Sequence, residues 1–384
     1  MRFEKDWGRL GLKLSDWKKV KLSELGTIVG GGTPSTKKEE YYGGNIPWIT
    51  PKDLANFGER YIEHGNRNIT LAGLENSSAK ILPAGSILFS SRAPIGYIAI
   101  TANNVTTNQG FKSIIPNSDV DSLFLYYLLK FNKDKIENMG SGTTFKEVSA
   151  NVMKSIEVFI PTEIAEQRKI SAILGAIDDK IENNKKINHH LEEMTTSIFE
   201  NMFPNVSSGK STIGNYIIPK RGKNLLSKDA IVGKVPVVAG GLQPSTFHNI
   251  ANTKSPVLTI SASGANAGYV NLWHIPVWSS DSSYIDISIT DNVYFWYVML
   301  KKRQQEIYDS QTGSAQPHIY PKHIEIMPTI DLSEDKVSRF TKQVTPLFES
   351  IGNNIKEIGE LQTLRDTLLP KLLSGEISVN QAAK

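Results

Sequence analysis

The chain has 384 residues, 39% of them hydrophobic and 21% charged, and its net charge is +4. This length suits two or three domains of about 100–200 residues, and the apolar content excludes a disordered chain. The absence of cysteine excludes disulfide bonds, cysteine-ligated metal sites and a thiol nucleophile. No apolar run approaches the ~20 residues of a membrane span, and residues 1–6 are not followed by an apolar signal segment. We therefore expect a cytoplasmic protein without membrane contact.

Residues 1–163 carry a net charge of +3 and have the pattern of a strand-rich mixed α/β domain. Short apolar runs, such as residues 86–89, alternate with clusters of Gly, Pro, Asn and Ser, which is typical of strands joined by turns. Residues 121–131 have a helical pattern. The loops hold side chains of the kind that contact base edges and phosphates. The candidates for DNA contact in this block are Lys37, Arg92, Gln109 and Lys146.

Residues 164–203 carry a net charge of −2 and predict one long spacer helix. Apolar residues and asparagines recur there at alternating spacings of four and three, without an intervening proline. A period of 3.5 sustained over this length indicates a coiled-coil seam. The predicted seam residues are Ile170, Leu174, Ile177, Ile181, Asn184, Leu191 and Ile198.

Residues 204–332 form a second strand-rich block with a net charge of +3, in which residues 293–309 have a helical pattern. Its polar loops also hold candidates for DNA contact, by the same argument from side-chain type. These candidates are Lys220, Arg221, Lys223, Asn266, Gln316 and His318.

Residues 333–374 predict a second long helix with the same spacing, and residues 375–384 form a tail. Pro370 lies near the end of this helix, where a kink or stop is expected. The predicted seam residues are Val344, Leu347, Ile351, Asn354, Ile358, Leu361 and Leu368.

The second half of the chain repeats the first at an offset of about 170 residues. The two helical patterns align in register at this offset, and residues 87–88 then lie over residues 257–258. Gly142 aligns with Gly313 at an offset of 171. Such self-similarity indicates an internal duplication.

The order of elements predicts the direction in which the helices pair. The second block follows the first helix after a short loop, so the second helix can pair with the first only by running back, as an antiparallel coiled coil. The predicted fold class is α/β (α+β), with two strand-rich mixed domains, two long helices and an internal pseudo-two-fold repeat. Asn184 and Asn354 occupy matching seam positions, and we expect the two amides to approach each other, because a buried seam Asn fixes register.

The common catalytic motifs are incomplete or missing in the sequence. Residues 209–211 end like a phosphate-binding loop, but Pro204 stands where the first glycine is required. No Gly-x-Ser-x-Gly elbow and no His-Glu-x-x-His zinc motif is present in the sequence. We therefore predict no catalytic residue, no metal site and no cofactor in this chain.

Several short motifs follow one another in a fixed order. They are Trp17 with residues 22–26 (Leu-Ser-Glu-Leu-Gly), residues 31–35 (Gly-Gly-Thr-Pro-Ser), residues 46–50 (Ile-Pro-Trp-Ile-Thr), residues 91–96 (Ser-Arg-Ala-Pro-Ile-Gly), residues 160–161 (Ile-Pro) and residues 166–170 (Glu-Gln-Arg-Lys-Ile). With the domain–helix–domain–helix layout, this set resembles the specificity (S) subunits of type I restriction-modification systems, over essentially the whole chain. The second block departs from the pattern, since it lacks the Gly-Gly-Thr-Pro-Ser and Ile-Pro-Trp segments.

The resemblance implies that residues 1–163 and 204–332 are target-recognition domains, each reading one half of a bipartite site in double-stranded DNA. It implies that the paired helices set the spacing and hold two methyltransferase (M) subunits and, through them, restriction (R) subunits. The chain would be non-catalytic. Adenine N6 methylation, endonuclease and ATPase activities would belong to the partner subunits, together with S-adenosylmethionine, ATP and Mg.

Two other functions fit the same layout. One is a structural adaptor that carries two protein-interaction domains on a coiled-coil rod. The other is a nucleotide-modifying enzyme that uses the glycine-rich loops, and the missing motifs count against it.

Overall fold

The computed structural model describes residues 16–142, 146–313 and 316–382. The signal-segment prediction for residues 1–6 and parts of the two loops around residues 142–145 and 312–316 lie outside the described residues. The chain divides into two compact units. Unit 1 comprises residues 1–182 and 359–384, and unit 2 comprises residues 183–358.

Unit 1 is built on a five-stranded sheet in the order β2-β9-β6-β7-β4, a three-stranded sheet in the order β5-β3-β8, and the antiparallel pair β1-β10. Its strands are β1 (Trp17–Lys21), β2 (Gly26–Gly30), β3 (Tyr42–Ile49), β4 (Tyr61–Ile62), β5 (Arg67–Ile69), β6 (Ile87–Ser91), β7 (Ile95–Thr101), β8 (Thr106–Thr107), β9 (Lys112–Pro116) and β10 (Glu157–Pro161).

Short helices cover the sheets of unit 1. They are α1 (Leu22–Leu25), α2 (Pro51–Leu54), α3 (Leu71–Glu75), α4 (Ser122–Phe131), α5 (Lys133–Asn138) and α6 (Ala150–Ser155). Helix α4 lies where the sequence predicts a helix, and the Asp121 carboxylate caps it by accepting a 2.8 Å hydrogen bond from the Phe124 backbone N–H. Its buried residues Phe124 and Leu128 belong to a core that also contains Ile87 of β6.

The first long helix, α7 (Ile164–Met202), leads into unit 2. Unit 2 contains a four-stranded sheet, β12-β18-β15-β16, a three-stranded sheet, β14-β13-β17, and the pair β11-β19. Its strands are β11 (Ser211–Thr212), β12 (Lys220–Arg221), β13 (Val235–Val238), β14 (Thr246–His248), β15 (Val257–Ser261), β16 (Val270–Trp273), β17 (Trp278–Ser279), β18 (Ser282–Asp286) and β19 (Pro328–Thr329).

The helices of unit 2 before its long helix are α8 (Val293–Lys302), α9 (Gln304–Asp309) and α10 (Pro321–Glu325). The helical pattern of residues 293–309 is present as these first two helices, which are separated by a break at Arg303, whose φ of −98° and ψ of 21° are not helical. Arg303 is 3% exposed, and its guanidinium donates a 2.8 Å hydrogen bond to the Pro328 carbonyl. The burial of the Arg303 side chain and its hydrogen bond to Pro328 fix this residue in the non-helical conformation that separates α8 from α9.

The second long helix is α11 (Glu334–Leu373), and α12 (Val379–Ala382) follows it. Helix α11 continues through Pro346 and Pro370 and ends three residues after Pro370. The boundary between the units falls inside α7 and α11, so each unit contains one end of each long helix. Val379 and Ala382 of the tail pack against the core of unit 1.

The two long helices pair antiparallel within each unit. In unit 2, the Asn184 amide donates to Glu357 at 2.7 Å and the Asn354 amide donates to Asn188 at 2.8 Å, so residue numbers rise on one helix as they fall on the other. In unit 1, Leu174 shares a core with Leu369 and Leu372. The predicted fold class, strand-rich mixed domains with paired long helices, is confirmed.

The two seam asparagines do not form a hydrogen bond with each other. Each amide donates instead to a side chain of the opposite helix. Asn184 is 1% exposed, so its hydrogen bond to Glu357 is made out of water, whereas Asn354 is half-buried. The antiparallel stagger separates the two amides by about one turn of the helix.

The predicted seam residues are all at least partly shielded from solvent. Seven are buried and seven are half-buried. The buried ones are Ile170, Leu174, Ile177, Ile181, Asn184, Val344 and Ile351; the half-buried ones are Leu191, Ile198, Leu347, Asn354, Ile358, Leu361 and Leu368.

The repeat is shifted by one residue in the central strands. Ile87 and Phe89 belong to the main core of unit 1, and Leu258 and Ile260 belong to that of unit 2. Leu258, not Val257, therefore takes the place of Ile87, at an offset of 171. The shift matters because a slip of one residue turns a strand's side chains to the opposite face.

Candidate functional site

The same loop arrangement is present at one end of the main sheet in both units. In unit 1, the Ser91 N–H donates to the Gly110 carbonyl at 2.7 Å, and the Val148 N–H donates to the Ser91 carbonyl at 2.9 Å. These bonds bring three separate loops together. Unit 2 repeats both bonds, each residue 171 positions further on, as Ala262 N–H to Asp281 at 3.1 Å and Ile319 N–H to Ala262 at 2.9 Å.

A small hairpin closes this arrangement in each unit. Ser141 and Glu147 exchange two backbone hydrogen bonds of 3.0 Å. Thr312 and His318 do the same at 3.1 and 2.8 Å. The offset is again 171, which is the offset that the sequence comparison found for Gly142 and Gly313.

Glycines explain why the arrangement persists although the sequences diverge. Gly142 and Gly313 have φ values of 134° and 97°, and Gly96 and Gly268 have φ values of 92° and 87°. Side chains rarely adopt this left-handed region, so glycine is required at all four positions. The backbone of the site is therefore conserved between the two units, and its side chains are free to differ.

In unit 1 the site holds two cations around one carboxylate. Glu147 lies 3.7 Å from the Arg92 guanidinium and 3.2 Å from the Lys112 ammonium. The side chain of Arg92 is 36% exposed and that of Lys112 is 14% exposed. Arg92 was predicted from the sequence. Lys112 and Glu147 were not, because nothing in the sequence shows that they meet Arg92 across the sheet end.

In unit 2 the site holds one cation, one carboxylate and two stacked rings, those of Tyr320 and His318. Arg221 lies 2.7 Å from Asp281, which also accepts a hydrogen bond from the Ser263 hydroxyl. The Arg221 guanidinium lies 5.9 Å from the centre of the Tyr320 ring, a cation–π distance. Tyr320 stacks on His318, with 5.8 Å between ring centres and 16° between ring planes.

The cation beside the carboxylate comes from different strands in the two units. Gly30 of β2 pairs with Lys112 of β9 in unit 1, and Arg221 of β12 pairs with Ser283 of β18 in unit 2. These two pairs occupy corresponding places in the sheets. The two ion pairs are therefore built from non-equivalent residues, since Glu147 corresponds to His318 and Asp281 to Gly110 at the offset of 171.

The glycine-rich segment of unit 1 is a packing element. The Trp48 indole N–H donates a 2.9 Å hydrogen bond to the Gly32 carbonyl, and a Cβ on Gly32 would lie 2.2 Å from the Ala79 nitrogen. Trp278 donates in the same way to the Lys223 carbonyl of unit 2 at 2.8 Å. The close approach of backbone to backbone, not phosphate binding, accounts for these glycines.

Of the other predicted contact residues, Lys220 lies on strand β12, and the rest lie in connections between strands or helices. Gln109 accepts a hydrogen bond from the Thr33 hydroxyl, which joins the loop before β9 to the loop after β2. Asn266 is half-buried within the turn before β16. The exposed side chains are those of Lys37, Gln109, Lys146, Lys220, Lys223 and Gln316.

The contacts between the long helices and the rest of each unit differ in kind between unit 1 and unit 2. In unit 1, the buried Asp178 carboxylate accepts 2.8 Å hydrogen bonds from the Tyr127 hydroxyl and the Arg365 guanidinium. Burial and the nearby Asp178 charge raise the pKa of Tyr127, so its hydroxyl remains a neutral donor. The equivalent helix position in unit 2 is Phe348, which stacks on Tyr294 with 4.6 Å between ring centres.

Across the described ranges, no three His, Asp or Glu side chains are grouped as a metal would require. No helix in the same ranges is both long and apolar enough to cross a membrane.

The matching family model and the similar sequences all belong to type I restriction specificity subunits. Residues 14–193 match the model of the type I restriction modification DNA specificity domain. The chain is 35% identical to the type I restriction enzyme MjaIX specificity subunit of Methanocaldococcus jannaschii, over 95% of this chain and 94% of that protein. It is 30% identical to the type I restriction enzyme HindI specificity subunit of Haemophilus influenzae, over 44% of this chain and 38% of that protein.

A crystal structure of a type I restriction-modification S subunit from M. genitalium has the same fold. The two align with a TM-score of 0.64 and 20% identity, over 95% of this chain and 98% of that one. From the sequence relatives, this chain belongs to the specificity subunits of type I restriction enzymes.

Proposed function

We propose that each unit reads one half of a bipartite DNA site through the loops at its sheet end. The observation that supports this proposal is the matched arrangement of the two units, in which the same backbone hydrogen bonds recur while the side chains at the sheet end differ. Two readers of different sequences need this combination. Arg, Lys, Asn and Gln side chains on the loops supply donors for base edges and phosphates.

The paired helices α7 and α11 connect the two readers and set the gap between the half-sites. Half-sites read from one face of a duplex have centres about one helical turn apart, or ~34 Å. In this proposal the helices also hold two methyltransferase subunits, and restriction subunits join through them in the cytoplasm. The chain contributes recognition only. S-adenosylmethionine, ATP and Mg are bound by the partner subunits.

The family relationship favours this function over a protein-binding adaptor. The discriminating experiment is methylome sequencing of a host that expresses this chain with its methyltransferase subunit. We expect methylated adenines in one bipartite motif with a fixed gap. Methylation of a continuous motif, or none above a host that carries the methyltransferase alone, would contradict the proposal.

A further inference from the structure

Among the described residues, the main sheet of unit 1 has an outer edge strand that the main sheet of unit 2 lacks. In unit 1, the order β6-β7-β4 places β4 outside β7. Strand β4 runs parallel to β7, with Tyr61 opposite Ile100 and Ile62 opposite Thr101. The Arg60 and Ile62 carbonyls accept hydrogen bonds of 2.8 and 2.9 Å from β7 and the residue after it.

Strand β4 also carries a basic side chain to the long helix. Arg60 is 4% exposed, and its guanidinium lies 2.9 Å from Glu182 of α7. It also forms an ion pair with Asp179 and donates to the Gly175 carbonyl at 3.3 Å. One short extended segment therefore completes the sheet and joins it to the helix.

Within the part of unit 2 that the structure describes, this segment has no counterpart. In unit 1 the connection from β3 to β5 spans residues 50–66, whereas the corresponding connection from β13 to β14 spans only residues 239–245. The shorter connection omits the fifth strand. Strand β16, the counterpart of β7, is therefore the outer strand of its sheet.

A cavity of about 820 Å³ lies where the missing strand would be. Its walls include Trp273 and His274 at the end of β16 and Glu349 of α11. Three of its apolar lining residues, Leu242, Ile275 and Ile355, are each 50% or 51% exposed. Grouped exposed apolar side chains of this kind mark interaction sites on monomers.

Of the two carboxylates that pair with Arg60 in unit 1, one has a counterpart at the cavity and the other does not, because Gly352 stands 170 residues after Glu182. Glu349 stands 170 residues after Asp179, the partner of Arg60, and it makes neither a hydrogen bond nor an ion pair with any described residue. The Leu272 N–H corresponds to the Ile100 N–H, and it donates locally to its neighbour Asn271 at 3.0 Å. Burial lowers the pKa of His274, so its ring adds no positive charge near Glu349 at neutral pH.

We propose that this cavity binds an extended peptide segment of a partner protein, which adds to β16 as a fifth strand and places an Arg or Lys side chain on Glu349. The segment β4 of unit 1 is the template for the occupant: a basic residue followed by an aromatic and an aliphatic residue. Strand addition gives affinity through the backbone, and the side-chain pockets give specificity. This inference concerns the assembly surface of unit 2 and is independent of DNA reading.

The test uses the full chain and a synthetic peptide with the sequence of residues 57–64, titrated by calorimetry. We expect saturable one-to-one binding. The affinity should fall at least tenfold for the peptide with Arg60→Glu and for the protein with Glu349→Lys. The matched control is Glu193→Lys, the same charge change at an exposed α7 residue outside the cavity, and it should leave the affinity unchanged.

A second measurement identifies the source of the natural segment. Hydrogen exchange of the Leu272 and His274 amides should slow when the chain is in complex with its methyltransferase subunit, and the complex should no longer bind the peptide. The proposal would be overturned if the peptide showed no saturable binding, or if its affinity were the same after both charge reversals. A dimer of the free chain that the peptide dissociates would show that a second copy is the occupant, and would overturn the partner assignment.

A further measurement distinguishes peptide binding at the cavity from DNA reading. The Glu349→Lys variant in complex with the methyltransferase can be examined by methylome sequencing, and we expect an unchanged DNA motif. Loss of peptide binding with an unchanged motif locates the cavity outside the DNA-reading surface.

Discussion

If unit 2 reads DNA as proposed, the ion pair between Arg221 and Asp281 favours contact with bases over contact with phosphates. A carboxylate beside the guanidinium repels phosphate, so the pair is poorly suited to the DNA backbone. It is well suited to base edges, because arginine donates to guanine and a carboxylate accepts from cytosine. Asp281 and the Tyr320 ring also hold the half-exposed guanidinium in place before DNA arrives.

We predict that Arg221→Ala changes only the half-site read by unit 2. Loss of one bidentate contact costs about 1–3 kcal/mol of discrimination, so one base position should become degenerate. The measurement is the methylome of a host with the variant and the methyltransferase. Lys302→Ala, at an exposed cation paired with Glu200, is the control and should leave the motif intact. Relaxation in the other half-site, or no change, would contradict this role.

A second residue-level prediction concerns the buried carboxylate of unit 1. Asp178→Ala removes the partner of both Tyr127 and Arg365 and leaves a charged group largely buried. We expect the free energy of unfolding to fall by about 3–5 kcal/mol, measured by urea denaturation. Asp366→Ala removes a 64% exposed partner of the same Arg365 and should cost less than about 1 kcal/mol. If the two variants lost the same free energy of unfolding, burial would not account for the contribution of the Asp178–Arg365 pair.

Sequence reasoning found some members of the site and missed others for a physical reason. Arg92 and Arg221 were selected from the sequence because arginine in a polar loop suits DNA contact, and that role stays a prediction. Glu147, Asp281 and Tyr320 were missed because their importance comes from contacts across the sheet end with residues far away in the chain. An acidic or aromatic loop residue carries no local signal of such a contact.

At the scale of elements, the long helices were the part of the fold that the sequence predicted best. A seam with a period of 3.5 requires only local information, and the observed α7 and α11 begin and end within a residue of the predicted bounds. The break at Arg303 was missed because it depends on a carbonyl 25 residues away. The strand β4 was missed because it is only two residues long.

Matched deletions in the paired helices test whether they set the gap. Removing residues 183–189 and 353–359 takes one heptad from each helix, from stretches that face each other through Asn184–Glu357 and Asn188–Asn354. Seven residues correspond to about 10 Å of helix, or ~3 base pairs, and a whole heptad preserves the seam. We expect the gap in the methylated motif to shorten while both half-sites stay the same.

The control is deletion of the same seven residues from α7 alone. This change leaves the helices with unequal lengths and mismatches the seam, so we expect methylation to be lost. An unchanged gap after the matched deletion would exclude the helices as the ruler.

On the scale of the whole molecule, the duplication has preserved backbone geometry and let side chains and edges diverge. The hydrogen bonds of the site recur at an offset of 171, with glycines at the same left-handed positions. The joint to the long helices is ionic in unit 1 and aromatic in unit 2. The edge strand is present in one unit and absent from the other. In our proposals, these differences let two copies of one scaffold bind different DNA sequences and different protein segments.

The modest charge of the chain leads to a prediction for the complete assembly. Each block carries a net charge of only +3, and its best placed cations are already paired with Glu147 and Asp281. Phosphate contacts drive the salt dependence of DNA binding, because each one releases counterions. The chain alone should therefore bind its DNA site weakly.

With the methyltransferase subunits added, we expect affinity to increase by at least a hundredfold and to fall steeply between 50 and 200 mM salt, in the manner of proteins with many phosphate contacts. The measurement is fluorescence anisotropy with one duplex and one buffer series, and a duplex with a scrambled half-site is the control. If the isolated chain binds as tightly as the complex, most phosphate contacts belong to this chain, and its loop lysines must supply them.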